Sequence, residues 1–212
     1  MKENPVIPLF PLSLVVFPGE RRPLHIFEER YKTMIAHCRA SEAREEDHAF
    51  GISLMQDGKL CSVGCSVEIA EITHEYPDGR LDILTMGKQR FKIQEVYQDQ
   101  SYLRAAVEFF EDRDESVDAL LVQDATERQQ LLLELVGEQV EVEERGSDLP
   151  YSFVLAQQAE LDLKLKQSLL EMTGENQRLQ RLIEYLDRLI PALRQYRERV
   201  ERAQSNGHPK IP

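Results

Sequence analysis

Residues 6–31, VIPLFPLSLVVFPGERRPLHIFEERY, are mostly apolar, yet Pro8, Pro11, Pro18 and Pro23 interrupt them at short intervals. That pattern limits what the segment can become. A membrane helix needs about 20 consecutive apolar residues, and interior prolines would deprive it of backbone hydrogen bonds. A secretory signal needs an unbroken apolar core of roughly 7–15 residues and then a small-residue cleavage site, whereas this run ends in GERRP. Short strands meeting at proline corners fit, because proline is tolerated at strand starts, edges and bulges. The expectation is a buried strand at LVVF, a turn at Pro18-Gly19, and a second strand at PLHIF with Leu24 and Ile26 on one side. A helix follows. Glu28 and Glu29 suit its N-terminus, and Tyr31, Met34, Ile35 and Cys38 recur at helical spacing.

From HAFGISLM to SYLRAAVEFFE the pattern is strand after strand. Val63, Cys65, Val67 and Ile69 alternate with small or polar residues, the period of a half-buried strand. Pro77-Asp78-Gly79 separates two such runs and predicts a hairpin. Six or seven short strands with one early helix imply a strongly bent sheet or a small closed barrel, since a flat sheet would expose its edges. Gly51, Gly64 and Gly87 fall within or at the ends of these runs, where a glycine marks a bulge or sharp bend. None has phosphate-loop spacing.

Composition changes after residue 111. Between 111 and 150 there are thirteen acidic residues against three arginines, so this span supplies about 10 of the net −12 charges, a solvated surface by the usual reading. Ser116 is a candidate N-cap for a helix striped by Val117, Leu120, Leu121, Leu132 and Leu135 and ended near Gly137. EQVEVEERGSD reads as a connector. A second helical region begins around Asp148-Leu149-Pro150, breaks near Asp162 and resumes in KLKQSLLEM. Thr173 can cap a last helix carrying Leu179, Leu182, Leu186, Leu189, Leu193, Tyr196 and Val200 at alternating spacings of three and four. Ile183 and Ile190 widen that stripe, which favours a bundle in a monomer over a homodimer seam. Pro191 is a kink site.

Chemistry is sparse. Three cysteines, Cys38, Cys61 and Cys65, suit a reducing, cytoplasmic setting and read as small core residues. The histidines, His25, His37, His48, His74 and His208, fall in no metal spacing and no nucleophile motif. No catalytic residue, metal ligand or cofactor site is nominated, and no enzyme is expected. A pI near 5.0 makes nucleic acid a poor partner.

The opening segment resembles the N-terminal domain of the Lon proteases through Pro8, Leu9, Pro11, Leu12, Phe17, Pro18, Gly19, Pro23, Leu24, Ile26, Phe27, Glu28, Arg30 and Tyr31. The likeness continues in Val63-Gly64, Pro77-Asp78-Gly79, and Gly87, Arg90 and Phe91 of GKQRFKI. It returns in Lys166, Gln167, Leu169, Leu170 and Glu171 of KLKQSLLE, and in NQRLQRLIEYL. The resemblance implies an α+β protein: a PUA-like bent β-barrel over 1–112 with one early helix, a helical bundle over 113–203 ending in a long helix, and a disordered tail at 204–212. It implies a non-catalytic module that recognises unfolded or extended polypeptide, as an adaptor or regulator of proteolysis with a protease as further partner. The 212 residues hold no G-x-x-x-x-G-K-[ST] loop and no Ser–Lys protease domain, so a stand-alone substrate-binding domain is expected rather than a peptidase. The matching residues are read as mostly structural, with Phe17, Phe27 and Tyr31 filling the core. Arg30 and Arg90 are read as paired with carboxylates. RNA binding, by analogy among PUA-like folds, and an unrecognised hydrolase are the alternatives.

Overall fold

The computed structural model describes residues 4–42, 49–137, 149–158 and 161–205. The connector at 138–148 and the tail from 206 onward lie outside them, as do His48 and His208. The chain forms two compact units: residues 1–113 with 161–173, and residues 114–160 with 174–212. The stretch 161–173 therefore groups with the strands rather than with the other helices.

The first unit contains β1 (Val6–Leu12), β2 (Arg21–Ile26), α1 (Glu29–Glu42), β3 (Phe50–Gln56), β4 (Lys59–Glu75), β5 (Leu81–Tyr97), β6 (Leu103–Phe110) and α4 (Leu163–Glu171). Its six strands run in the order β2-β5-β4-β3-β1-β6, and β5 also pairs with β6. Pairing thus closes into a ring of five strands, with β2 added along the first half of β5. The sheet is mixed, since β1 runs parallel to β3 while the other pairs are antiparallel.

The six strands agree with the six or seven expected, but two of them are long rather than short. β4 and β5 are 17 residues each, with register shifts that let them bend. Ile7, Leu9, Phe91, Ala105 and Val107 cluster inside the ring. The tip of the Phe91 ring packs against two glycines. A Cβ on Gly64 would come within 2.5 Å of Phe91 Cζ and 2.4 Å of the Ile52 carbonyl, and one on Gly51 within 2.7 Å of the same ring. Close approach requires these glycines, and Gly64 also borders the register shift between β3 and β4, the bulge expected of it. Gly87 is similar: a Cβ there would lie 2.1 Å from the Phe17 carbonyl.

That contact explains why LVVF is not a strand. Val15, Val16 and Phe17 are buried, but their backbone leaves the ladder. The Phe17 N–H donates to the Glu20 carboxylate at 2.9 Å, and the Gly19 N–H donates to the Gly87 carbonyl at 2.8 Å. Turn hydrogen bonds replace sheet ones. The alternation expected in β4 is also absent, because Val63 through Val67 are buried without interruption. Such a strand is covered on both faces, and α4 lies on β4, where Gln167 Nε2 donates to the Val63 carbonyl at 3.1 Å. Burial pushes the Cys65 thiol up to about 12, so it stays protonated and donates to the Ser66 carbonyl at 3.4 Å.

Arg90 ties α4 to the ring. Only 4% exposed, it donates to the carbonyls of Leu170 at 3.2 Å and Met172 at 2.5 Å, and it pairs with Asp112. Helix-end carbonyls that would otherwise lack partners are thereby satisfied.

The second unit consists of α2 (Ala119–Val136), α3 (Tyr151–Gln158) and α5 (Glu175–Ser205). Asp118, not Ser116, is the N-cap of α2, accepting from the Leu120 N–H, and Gly137 closes the helix at φ +80°. The buried face of α2 is Ala125, Gln129, Leu132 and Leu133. Of the expected stripe Leu132 is on this face and Leu121 and Leu135 are half-buried, whereas Leu120 is 73% exposed and Val117, which precedes the helix, 43%. Pro150 precedes α3 rather than opening it, its carbonyl accepting from Phe153 and Val154. Glu175 caps α3 from α5: its carboxylate takes the Ser152 N–H at 2.9 Å and Oγ at 2.6 Å. Arg178, fully buried, neutralises Glu175 at 2.7 Å and lies over the Phe153 ring. Leu179, Leu182, Leu186 and Ile190 form the buried stripe of α5, which stays helical through Pro191.

Two substitutions test this account by urea unfolding of the full chain. Arg90→Met removes the ion pair to Asp112 and the donors to the α4 carbonyls, and is expected to cost about 3 kcal/mol, the low end for a broken buried pair because Asp112 keeps 24% exposure. Gly64→Ala overpacks the Phe91 ring and is expected to cost about 2 kcal/mol.

Candidate functional site

Strands β2, β5 and β4 lie side by side, and their register puts His25 and His74 opposite Asp82 from either flank. Residues opposite one another in a sheet share a face. Leu24, Ile83 and Ile72 form the next row and point the other way, with Ile83 1% exposed on the inner side. Ile26, Leu81 and Ile83 thus turn inward, while His25 and Asp82 turn out.

On the outer face the rings form a continuous row. Phe27 stacks on His25 with centroids 5.8 Å apart, His25 meets the edge of Tyr76 at 5.9 Å, and Tyr76 meets His74 at 4.3 Å. Asp82 organises it: His25 Nδ1 lies 2.5 Å from Oδ1, and the Tyr76 hydroxyl donates to Oδ2 at 2.8 Å. The Arg80 guanidinium covers the other side of Tyr76 at 4.7 Å. The hairpin that carries Tyr76 is fixed by the turn at Pro77-Asp78-Gly79, where Gly79 has φ +80° and Lys32 donates to the Asp78 carbonyl at 3.1 Å.

Hydrogen bonds from His25 and Tyr76 hold the Asp82 carboxyl below its usual range, and the same carboxylate pushes the Tyr76 hydroxyl up. The row is therefore an aromatic surface with one buttressed carboxylate, suited to stacking and hydrogen bonding. Among the described residues no group of three His, Cys, Asp or Glu side chains is placed to hold a metal, and no helix is long and apolar enough to cross a membrane.

The family-motif residues divide sharply. Phe17 is fully buried and Tyr31 packs on Phe10 with centroids 4.0 Å apart. Pro11 and Leu12 end β1; Pro23, Leu24 and Ile26 build β2; Pro18-Gly19 and Asp78-Gly79 make turns. Gly64, Gly87, Arg90 and Phe91 belong to the packing described above. Glu28 and Arg30 pair with each other at 2.8 Å on the surface. Phe27 departs from expectation: it is 58% exposed, not core. It follows the last residue of β2, so the alternation that buries Ile26 turns its neighbour outward. Sequence reading missed Asp82, Tyr76 and His74 as companions of His25, because only strand register brings them together. The alternation of His25 with apolar residues was the one legible signal.

A depressed carboxylate stabilises the fold above its unfolded value near 4, and that contribution is lost as pH falls through the folded pKa. In an NMR titration the Asp82 carboxyl is expected to protonate below 3.8. Its midpoint should rise in His25→Ala and in Tyr76→Phe, and an unchanged midpoint in both would remove the row's organising contact.

The chain matches the family model of the ATP-dependent protease La (LON) substrate-binding domain over residues 6–188. It is 26% identical to a Lon protease of Cytophaga hutchinsonii over 91% of this chain and 25% of that protein. It is likewise 26% identical to one of Solibacter usitatus, over 85% and 24%. It thus spans about a quarter of the length of these relatives. The Lon N-terminal domain protein of Xanthomonas campestris superposes with a TM-score of 0.66 at 25% identity, covering 85% of this chain and 98% of that one. The N-terminal domain of the Mycobacterium avium complex Lon protease has the same fold, with a TM-score of 0.63 at 20% identity over 86% of this chain and 98% of that one. The six-stranded unit and its helices are those of an α+β Lon N-terminal domain, and this chain belongs to the LON substrate-binding domain family.

Proposed function

We propose that this chain is a non-catalytic recognition module for extended or unfolded polypeptide in the cytoplasm, serving proteolysis as an adaptor or regulator, with the Phe27 row as its contact surface. The observation that carries the reading is the exposure of Phe27, a large apolar ring in an otherwise core-building motif. Exposed aromatic rings beside satisfied polar groups are what hot spots of polypeptide recognition consist of. An unfolded segment offers apolar side chains to stack on Phe27 and Tyr76 and backbone N–H groups for Asp82. The family's substrate-binding description supports the same class of ligand. The net charge of −12 opposes phosphate-rich partners and leaves apolar, neutral or basic segments favoured.

Fluorescence anisotropy with a labelled, reduced and carboxymethylated polypeptide tests this. Phe27→Ala is expected to weaken binding at least about fivefold, roughly 1 kcal/mol, with an unchanged unfolding midpoint because the ring is mostly outside the core. Unchanged affinity in Phe27→Ala would sink the assignment of the surface.

A further inference from the structure

β2 pairs with β5 along one side, and among the described residues no strand pairs with its other side. The register tells which main-chain groups that free edge carries. The Gly87 N–H donates to the Glu20 carbonyl at 2.9 Å, and the Thr85 hydroxyl donates to the Arg22 carbonyl at 2.9 Å. Main-chain groups along a strand aim alternately to its two sides, so Glu20, Arg22, Leu24 and Ile26 face β5. Arg21, Pro23 and His25 face away, and all three residues are exposed. Pro23 thus stands where its missing N–H takes no bond from β5. The edge presents three carbonyls and the N–H groups of Arg21 and His25. Among the described residues no main-chain group meets them.

Donors and acceptors at the spacing of a strand fit one kind of partner, another extended main chain, whatever its side chains. We propose that the free edge of β2 takes an extended polypeptide as an added strand, held through its main chain. This rests on the recognition of extended polypeptide proposed above and supplies its mode of attachment. Edge and aromatic row are continuous. A residue paired with His25 shares its outer face, beside Phe27, whose ring stacks on His25. Alternate side chains of the added strand therefore lie along the row while their own N–H groups point at β2. Pro23 disfavours a second copy as the occupant. Two β2 edges paired about Pro23 would lack both central donors, and paired about Arg21 they would set arginine against arginine. A foreign strand forgoes only one bond.

Fluorescence anisotropy of the full chain with a short labelled peptide alternating valine and serine tests this. The alternation sets the register, because the valines favour the face of the Phe27 row. N-methylation of the valines removes the N–H groups aimed at β2 and is expected to weaken binding at least about tenfold. N-methylation of the serines, whose N–H groups point to solvent, is expected to change it less than about twofold. Pro23→Ala supplies the missing donor and is expected to bind the unmethylated peptide about fivefold more tightly, with the same contrast between the methylated forms. Equal losses for the two methylated peptides, or unchanged affinity in Pro23→Ala, would overturn strand addition. Phe27→Ala then decides separately whether the row binds by side-chain contact alone. A contrast that persists in Phe27→Ala without loss of affinity would keep the edge and remove the row. A Pro23→Ala protein that dimerises in sedimentation velocity and no longer takes the peptide would overturn the proposal in favour of a second copy.

Discussion

Arg90 and Phe91 are neighbours on β5, and their side chains leave the strand on opposite faces. Phe91 turns inward onto the bare backbones of Gly64 and Gly51, which brings β3, β4 and β5 close enough to curl and lets β5 reach β6. Arg90 turns outward and collects the end of α4 together with Asp112. One dipeptide thus closes the ring and fixes the helix that covers it. The full-length burial of the middle of β4 follows from having both.

Local patterns carried much of this fold. The turn at Pro18-Gly19, the hairpin at Pro77-Asp78-Gly79, the early helix with its Tyr31, Met34, Ile35 and Cys38 face, and the stripe of α5 as far as Ile190 are all short-range features, and each is found. Pro8, Pro11 and Pro23, by contrast, stand within β1 and β2 rather than at corners between strands. What failed depended on distant contacts. LVVF has strand composition, yet Gly87 claims its turn; β4 has an alternating sequence, yet α4 covers its outer face. On α2 the first apolar residues suggested a face that packing does not use, because Gln129 earns its buried place through a hydrogen bond to the Leu155 carbonyl at 2.8 Å. A polar side chain that is satisfied in the core cannot be recognised by hydrophobicity.

The surface row shows the same limit more severely. His25, His74 and Asp82 come from three strands and Tyr76 from the turn between β4 and β5, and no spacing within the chain relates them. Phe27 was visible but misread, since a motif of buried residues invites the same reading for each member. The family likeness identifies the class of domain without distinguishing residues that hold the fold from residues that face a partner. Exposure is the quantity that separates them.

The grouping of α4 with the strands has a consequence for synthesis. The chain leaves the sheet unit at residue 113, spends 47 residues in the helical unit from 114 to 160, and returns with 161–173. Arg90 therefore waits for the Leu170 carbonyl, 80 residues downstream. At ribosomal rates of about 5–20 residues per second that is an interval of several seconds. Until then the outer face of β4 remains uncovered, so the nascent ring is itself an unfinished client that must pass its first seconds without its lid.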